Sequence, residues 1–121
     1  MNVKNVWLHG LAAGLVAGLV DGAMIKGFAP SSPPWVVAEA ILFWTTAGWA
    51  VVASSSGLGR FGHGVVTSLL LSLPWYIQET VPSGQYGHLP PLVLQGVVFG
   101  LGFGLVRGRL ARAVSPGAGA G

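Results

Sequence analysis

The sequence predicts an all-α integral membrane protein: four transmembrane helices arranged as two helical hairpins, with both termini cytoplasmic. Three observations carry this. The 121 residues are 52% hydrophobic and only 7% charged, whereas a soluble domain is about 25% charged. So few charges cannot cover a water-facing surface, so lipid must face much of the outside. Four apolar runs are separated by breaks rich in Pro, Gly and Ser. Lysine and arginine fall almost entirely on one side of those runs.

The first run covers about residues 6–27 and ends at Pro30, Ser31, Ser32, Pro33 and Pro34, a turn that no helix continues through. The start of the chain resembles a signal peptide, but Asp21 and Lys26 follow it where a small-residue cleavage site would be expected, so it reads as a retained first span. The second run, about 35–53, opens after Pro34, which suits a first helical turn. The polar loop SSSGLGRFG leads to the third run, about 63–78, which contains Pro74. That proline removes a helix hydrogen bond and frees the carbonyl of Leu70. The loop VPSGQYGHLPP precedes the fourth run, about 91–106. Each run approaches the roughly 20 residues that span a hydrocarbon core, the fourth being the shortest. Residues 1–112 thus form one transmembrane domain, and 113–121 read as a disordered tail.

Lys4, Arg60, Arg107, Arg109 and Arg112 share one side under this topology, leaving Lys26 on the other. The positive-inside rule puts the first side in the cytoplasm. Trp35, Trp75, Tyr76 and Tyr86 then fall at the outer boundary and Trp7 at the inner one, as an aromatic belt would. His9-Gly10 matches His63-Gly64, and Pro33-Pro34 matches Pro90-Pro91. Duplication of a hairpin and chance matching of common dipeptides both account for this.

Glycine recurs at every fourth position in two runs: Gly10, Gly14, Gly18 and Gly22, then Gly96, Gly100, Gly104 and Gly108. On a helix this makes a smooth ridge that another backbone approaches closely. The ridges fit either packing of span one on span four or contacts between subunits. A bundle this small has little interior, so a homo-oligomer or a larger membrane complex is the expected partner beside the lipid bilayer.

The only acids are Asp21, Glu39 and Glu79, all in the outer third of the membrane under this topology. An ionisable side chain there must pair, find water or be neutralised, so it marks a functional site by default. Asp21 and Lys26 point about 140° apart on one helix and are poor partners. Ser68, Ser72, Tyr76 and Glu79 follow helical spacing on span three, as do Glu39, Phe43, Thr46 and Ala50 on span two. Asp21, Glu39, Glu79, Lys26 and Ser72 are therefore the candidate ion or solute site, a small polar pocket opening outward. Serines and threonines also bond between helices for packing alone.

Several functions are disfavoured. The net charge of +3 comes without a basic and aromatic surface, which argues against nucleic acid. No cysteine is present, so disulfides and thiolate metal sites are excluded. His9 and His63 lie at the cytoplasmic ends of spans, away from any carboxylate that could complete a metal shell, and no cofactor is expected. Gly57, Gly59 and Gly62 match G-x-G-x-x-G, but a membrane helix rather than a strand precedes them. No nucleophile motif appears, so no enzyme is expected.

The run GLAAGLVAG at 10–18, the run GVVFGLGFG at 96–104, the Pro-rich outer turn and Pro74 together resemble the YagU-like and related small bacterial inner-membrane proteins. The resemblance implies a compact four-helix bundle in the inner (plasma) membrane and supplies no catalytic residues. The leading expectation is a non-catalytic, oligomerising or complex-associated membrane component. The alternative is translocation of a proton, ion or small solute through the outward-facing acidic site.

Overall fold

A computed structural model describes residues 3–114. It contains α1 (Val3–Phe28), α2 (Pro34–Ala53), α3 (Gly59–Thr80) and α4 (Leu89–Val114), with one 3-10 turn at Tyr86–His88 and no strand among the described residues. Three stretches are long and apolar enough to cross a membrane: Lys4–Phe28, Pro34–Ala53 and Tyr86–Arg112. The 22 residues of α3 extend about 33 Å, so length is not what sets it apart. Arg60, His63, Ser68, Ser72, Gln78 and Glu79 dilute its apolar character.

Several helix boundaries differ from the sequence expectation, most of all in α3 and α4. α3 begins at Gly59, whose φ of +72° makes the turn into the helix inside the expected loop. α4 begins at Leu89 and reaches Val114. Pro90 and Pro91 fall in its first turn, where a missing N–H costs nothing. Beyond Val106 the helix continues through Arg107–Arg112, and arginine is a good helix former. The expected tail at 113–121 therefore starts inside α4, and its remainder, 115–121, lies outside the described residues. The α3–α4 connection turns at Gly84, with φ +68°.

The two glycine ridges have different partners. Gly10, Gly14, Gly18 and Gly22 lie against Trp49, Thr45, Ile41 and Val37 of α2, in that order. Rising numbers on α1 meet falling numbers on α2, so the helices are antiparallel. A Cβ on Gly10 would stand 2.9 Å from the Trp49 Cα, and one on Gly18 would stand 2.7 Å from the Ile41 Cα. Gly48 returns the contact from α2 onto Gly14. On α4, Gly96 faces Tyr76, Gly100 faces Gly64 and Val65, and Gly104 and Gly108 face Arg60, all on α3. The ridges thus pack within the chain but not against each other. The expectation of span one on span four is replaced by α1 on α2 and α3 on α4.

The pairs meet through aromatic side chains. Trp44 is buried, with its ring edge-on to Phe99 at 4.6 Å and tilted toward Phe103 at 6.2 Å. Val51, Val52, Ala47 and Ala17 complete the core around it. Outside, Leu8, Val16, Leu42, Leu70, Ile77 and Leu94 are exposed. An apolar exterior of this kind suits lipid and, with the three long apolar helices, suggests a membrane protein. Trp7, Trp35 and Tyr86 are also exposed, as a boundary belt requires. Tyr76 departs from that belt: it is buried against Gly96, and its hydroxyl donates to the Leu92 carbonyl at 3.2 Å.

Candidate functional site

Asp21 sits late in α1, one position before Gly22 of the ridge, and is 7% exposed. The close approach of α1 to α2 brings Trp44 to it, and the indole Nε1 donates to Oδ2 at 2.8 Å. From α4 the Gln95 amide Nε2 donates to Oδ1 at 2.6 Å. One carboxylate therefore ties together three helices and both packed pairs. A buried indole N–H needs an acceptor, and a buried carboxylate needs donors, so each satisfies the other. A carboxylate has about four acceptor positions, and two donors leave some unused.

Asp21 also borders open space. Asp21 and Gln95 line a cavity of about 10 Å³ with Phe43, Trp44, Ser72 and Tyr76, about the room one water needs. Trp75 and Ala40 close its sides. Asp21 and Gln95 also form the floor of a wider vestibule of about 320 Å³ that opens toward the α1–α2 and α3–α4 turns. Ser32, Glu79 and His88 supply polar groups along its wall, among Met24, Phe28 and Leu92.

The structure brings some of the expected site residues together and separates others. Ser72 shares the inner cavity with Asp21, although its hydroxyl donates to the Ser68 carbonyl at 2.7 Å. Glu79 shares the vestibule. Lys26 is elsewhere: its Nζ donates to the Ser32 carbonyl at 3.2 Å and is exposed. Glu39 opens into a different groove, with Trp35, Leu42 and Thr46. Glu39 lies next to Ala40 in sequence, and one residue turns a helix by about 100°, so the two face different sides. Thr46 bonds its own helix, at Leu42 O.

Sequence reasoning missed Trp44, Gln95 and His88. Gln95 carried a usable signal, since it is the only strongly polar side chain in 91–106. Trp44 carried none, because an indole in an apolar run reads equally well as facing lipid.

A second polar cluster lies at the opposite end. His63 is buried at the C-terminus of α2, with Nε2 2.9 Å from the Val51 carbonyl and 3.2 Å from Ser54 Oγ. Its Nδ1 lies 3.0 Å from Ser56 Oγ. Arg107 Nε donates to the Ser54 carbonyl at 2.7 Å. The last carbonyls of a helix lack internal partners, and these groups from α3 and α4 supply donors. No cluster of three or more metal-ligating side chains exists among the described residues. In comparisons with family models, curated proteins and solved structures, the chain matches none.

Proposed function

We propose that the chain is a small four-span membrane protein that takes up a proton, ion or small solute at Asp21 from the outer vestibule. The observation that carries this is that one buried carboxylate borders both a water-sized cavity and a wider vestibule that opens toward the helix turns. A purely structural aspartate gains nothing from such access, and an intramembrane acid is costly to keep. In this reading α3 is the fourth span: its polar residues turn inward, with Ser68, Ser72 and Thr80 buried, while Leu70, Leu73 and Ile77 are exposed. Both termini lie in the cytoplasm of a cell with this protein in its plasma membrane, and α1–α2 and α3–α4 form two hairpins. The resemblance of the glycine runs to YagU-like proteins belongs to the same picture. No catalytic step is proposed.

Asp21→Asn is a fair test because the fold has a way to absorb it. Trp44 continues to donate to the new amide oxygen. Gln95 turns its own amide over, so that its oxygen accepts from the new amide nitrogen. In vesicles with an imposed pH gradient, wild-type protein is expected to move protons and D21N is not, with unchanged thermal unfolding of both. Equal rates for wild type, D21N and empty vesicles under gradients of either sign would overturn the proposal.

One feature favours a second reading, assembly with a partner. Both ridges are occupied within the chain, but a shallow apolar groove of about 310 Å³ between α1 and α4 is lined by Ala13, Ala17, Val98, Gly102 and Phe103. A Cβ on Gly102 would meet nothing within 4 Å. If this face docks on a second copy or a complex subunit, Gly102→Leu releases it during purification in mild detergent.

A further inference from the structure

The groove that holds Glu39 is separate from the Asp21 vestibule and is built for a different ligand. It is open, about 550 Å³, and lies between α2 and α3, lined by Trp35, Glu39, Leu42, Phe43, Thr46 and Trp75. Phe43 and Trp75 stack at 6.3 Å with their planes 24° apart. Trp35, at the start of α2, is 62% exposed. Glu39 is half-buried, and no described residue hydrogen-bonds or ion-pairs with its carboxylate.

A carboxylate beside aromatic side chains selects by charge. Aromatic faces attract cations, most strongly where water is excluded. An anion is repelled, and a neutral solute has at most a hydrogen bond to Glu39 without the charge attraction. The groove also selects by polarity. From Trp35 to Thr46 it follows α2 for about 17 Å, from the boundary toward the bilayer middle. Leu42 and Ala38 on its wall favour an apolar body, and a strongly hydrated metal ion would lose its water there with few oxygen ligands in return.

Phe43 and Trp75 face both this groove and the Asp21 cavity. The stacked pair is thus the wall between two carboxylates. We infer that the Glu39 groove binds amphiphilic alkylammonium ions reaching it sideways from the outer leaflet, head at Glu39 and the aromatic rings, chain along Leu42. This rests on the membrane orientation proposed above but not on any flux through Asp21. The proposed occupant is a single-chain ammonium amphiphile, matching the one carboxylate and the one groove along Leu42; a choline lipid, which would place its head and chains the same way, is the other outcome of the test.

The test uses the full chain in discs of a neutral galactolipid, with 6-bromohexyltrimethylammonium as probe and 6-bromohexanol as its neutral counterpart. Bromine quenches nearby tryptophan fluorescence. Saturable quenching by the cation and none by the alcohol is expected. Glu39→Gln is expected to weaken the half-saturating concentration about tenfold, and Trp35→Ala about threefold; both sites are at the surface and leave thermal unfolding unchanged. Asp21→Asn keeps the quenching. Equal quenching by cation and alcohol, or by wild type and E39Q, would overturn the inference. So would loss of the signal in phosphatidylcholine discs, which would give the groove to the lipid headgroup. The two proposals fail separately: E39Q quenching tests this one and D21N flux tests the other.

Discussion

Removing the Gln95 amide should cost more when Asp21 is present than when Asp21 has already been removed. Gln95→Leu leaves the chain apolar at that point and Oδ1 of a buried Asp21 without its donor. Hydrogen bonds to charged groups are worth about 1.5–3 kcal/mol, and an abandoned buried partner loses its solvation as well. Q95L should therefore lower stability by about 2–3 kcal/mol. Asp21→Ala removes the acceptor, leaves a small cavity and strands the Trp44 N–H. The cavity and the stranded indole are present in both D21A and D21A/Q95L, so they cancel from the double-mutant cycle. What remains is the Asp21–Gln95 coupling, expected at about 1.5–3 kcal/mol. The assay is reversible unfolding in mixed micelles of rising denaturing-detergent fraction, followed by far-ultraviolet circular dichroism. Additivity within about 0.5 kcal/mol would show that the bond between α1 and α4 contributes nothing, and the three-helix tie at Asp21 would fall with it.

Glycine contacts give a second set of expectations. Gly64→Ala drives a methyl into the Gly100 carbonyl on the facing backbone, and overpacking of this kind should cost about 1–3 kcal/mol in the same unfolding assay. Gly102→Ala points into open space and should be neutral or stabilising by up to about 1 kcal/mol through helix propensity; equal effects at the two positions would contradict the ridge assignment. At the far end, His63→Leu leaves the Val51 carbonyl with only the 3.4 Å bond from Ser54 Oγ and removes the ring's contacts to Ser54 and Ser56, and should cost about 1–3 kcal/mol. Hydrogen exchange should then speed up across 54–58 and stay unchanged in the vestibule; unchanged exchange at 54–58 would deny His63 its role at that helix end.

Apolar run length and the proline-rich breaks were enough to place four helices, because both are local properties of the chain. Helix ends were less legible. α4 outruns its apolar stretch at Arg107–Arg112, where helix formation needs no hydrophobicity. The ridges were visible from their four-residue spacing, but spacing fixes a face of a helix and not what lies across from it. That is why Gly14 and Gly100 were recognised while their partners, Thr45 on α2 and Gly64 on α3, were not. The same limit governs the site. Asp21 was legible as a carboxylate in need of a partner. Gln95 is 74 positions away, and no local pattern reaches that far. Glu39 and Phe43 share one helical stripe, but Phe43 reaches two cavities and Glu39 only one, a distinction that depends on where α3 lies.

Between helices in a bilayer there is little hydrophobic drive, so contacts must come from close packing and from polar ties. This chain divides the two tasks. Within each pair, glycines let backbones touch. Between pairs, larger rings meet around Trp44, with polar ties at each end: Gln95 to Asp21 near the α1–α2 and α3–α4 turns, and His63 and Arg107 to the end of α2. The two ties are not equivalent. The tie at the end of α2 has backbone carbonyls as its acceptors. The tie at Asp21 rests on a carboxylate that borders the vestibule, and of its two N–H donors Gln95 alone crosses between the pairs, Trp44 lying on α2 beside α1. If the proposed uptake puts a proton or cation on Asp21, it weakens the Gln95 tie and leaves the tie at the end of α2 intact.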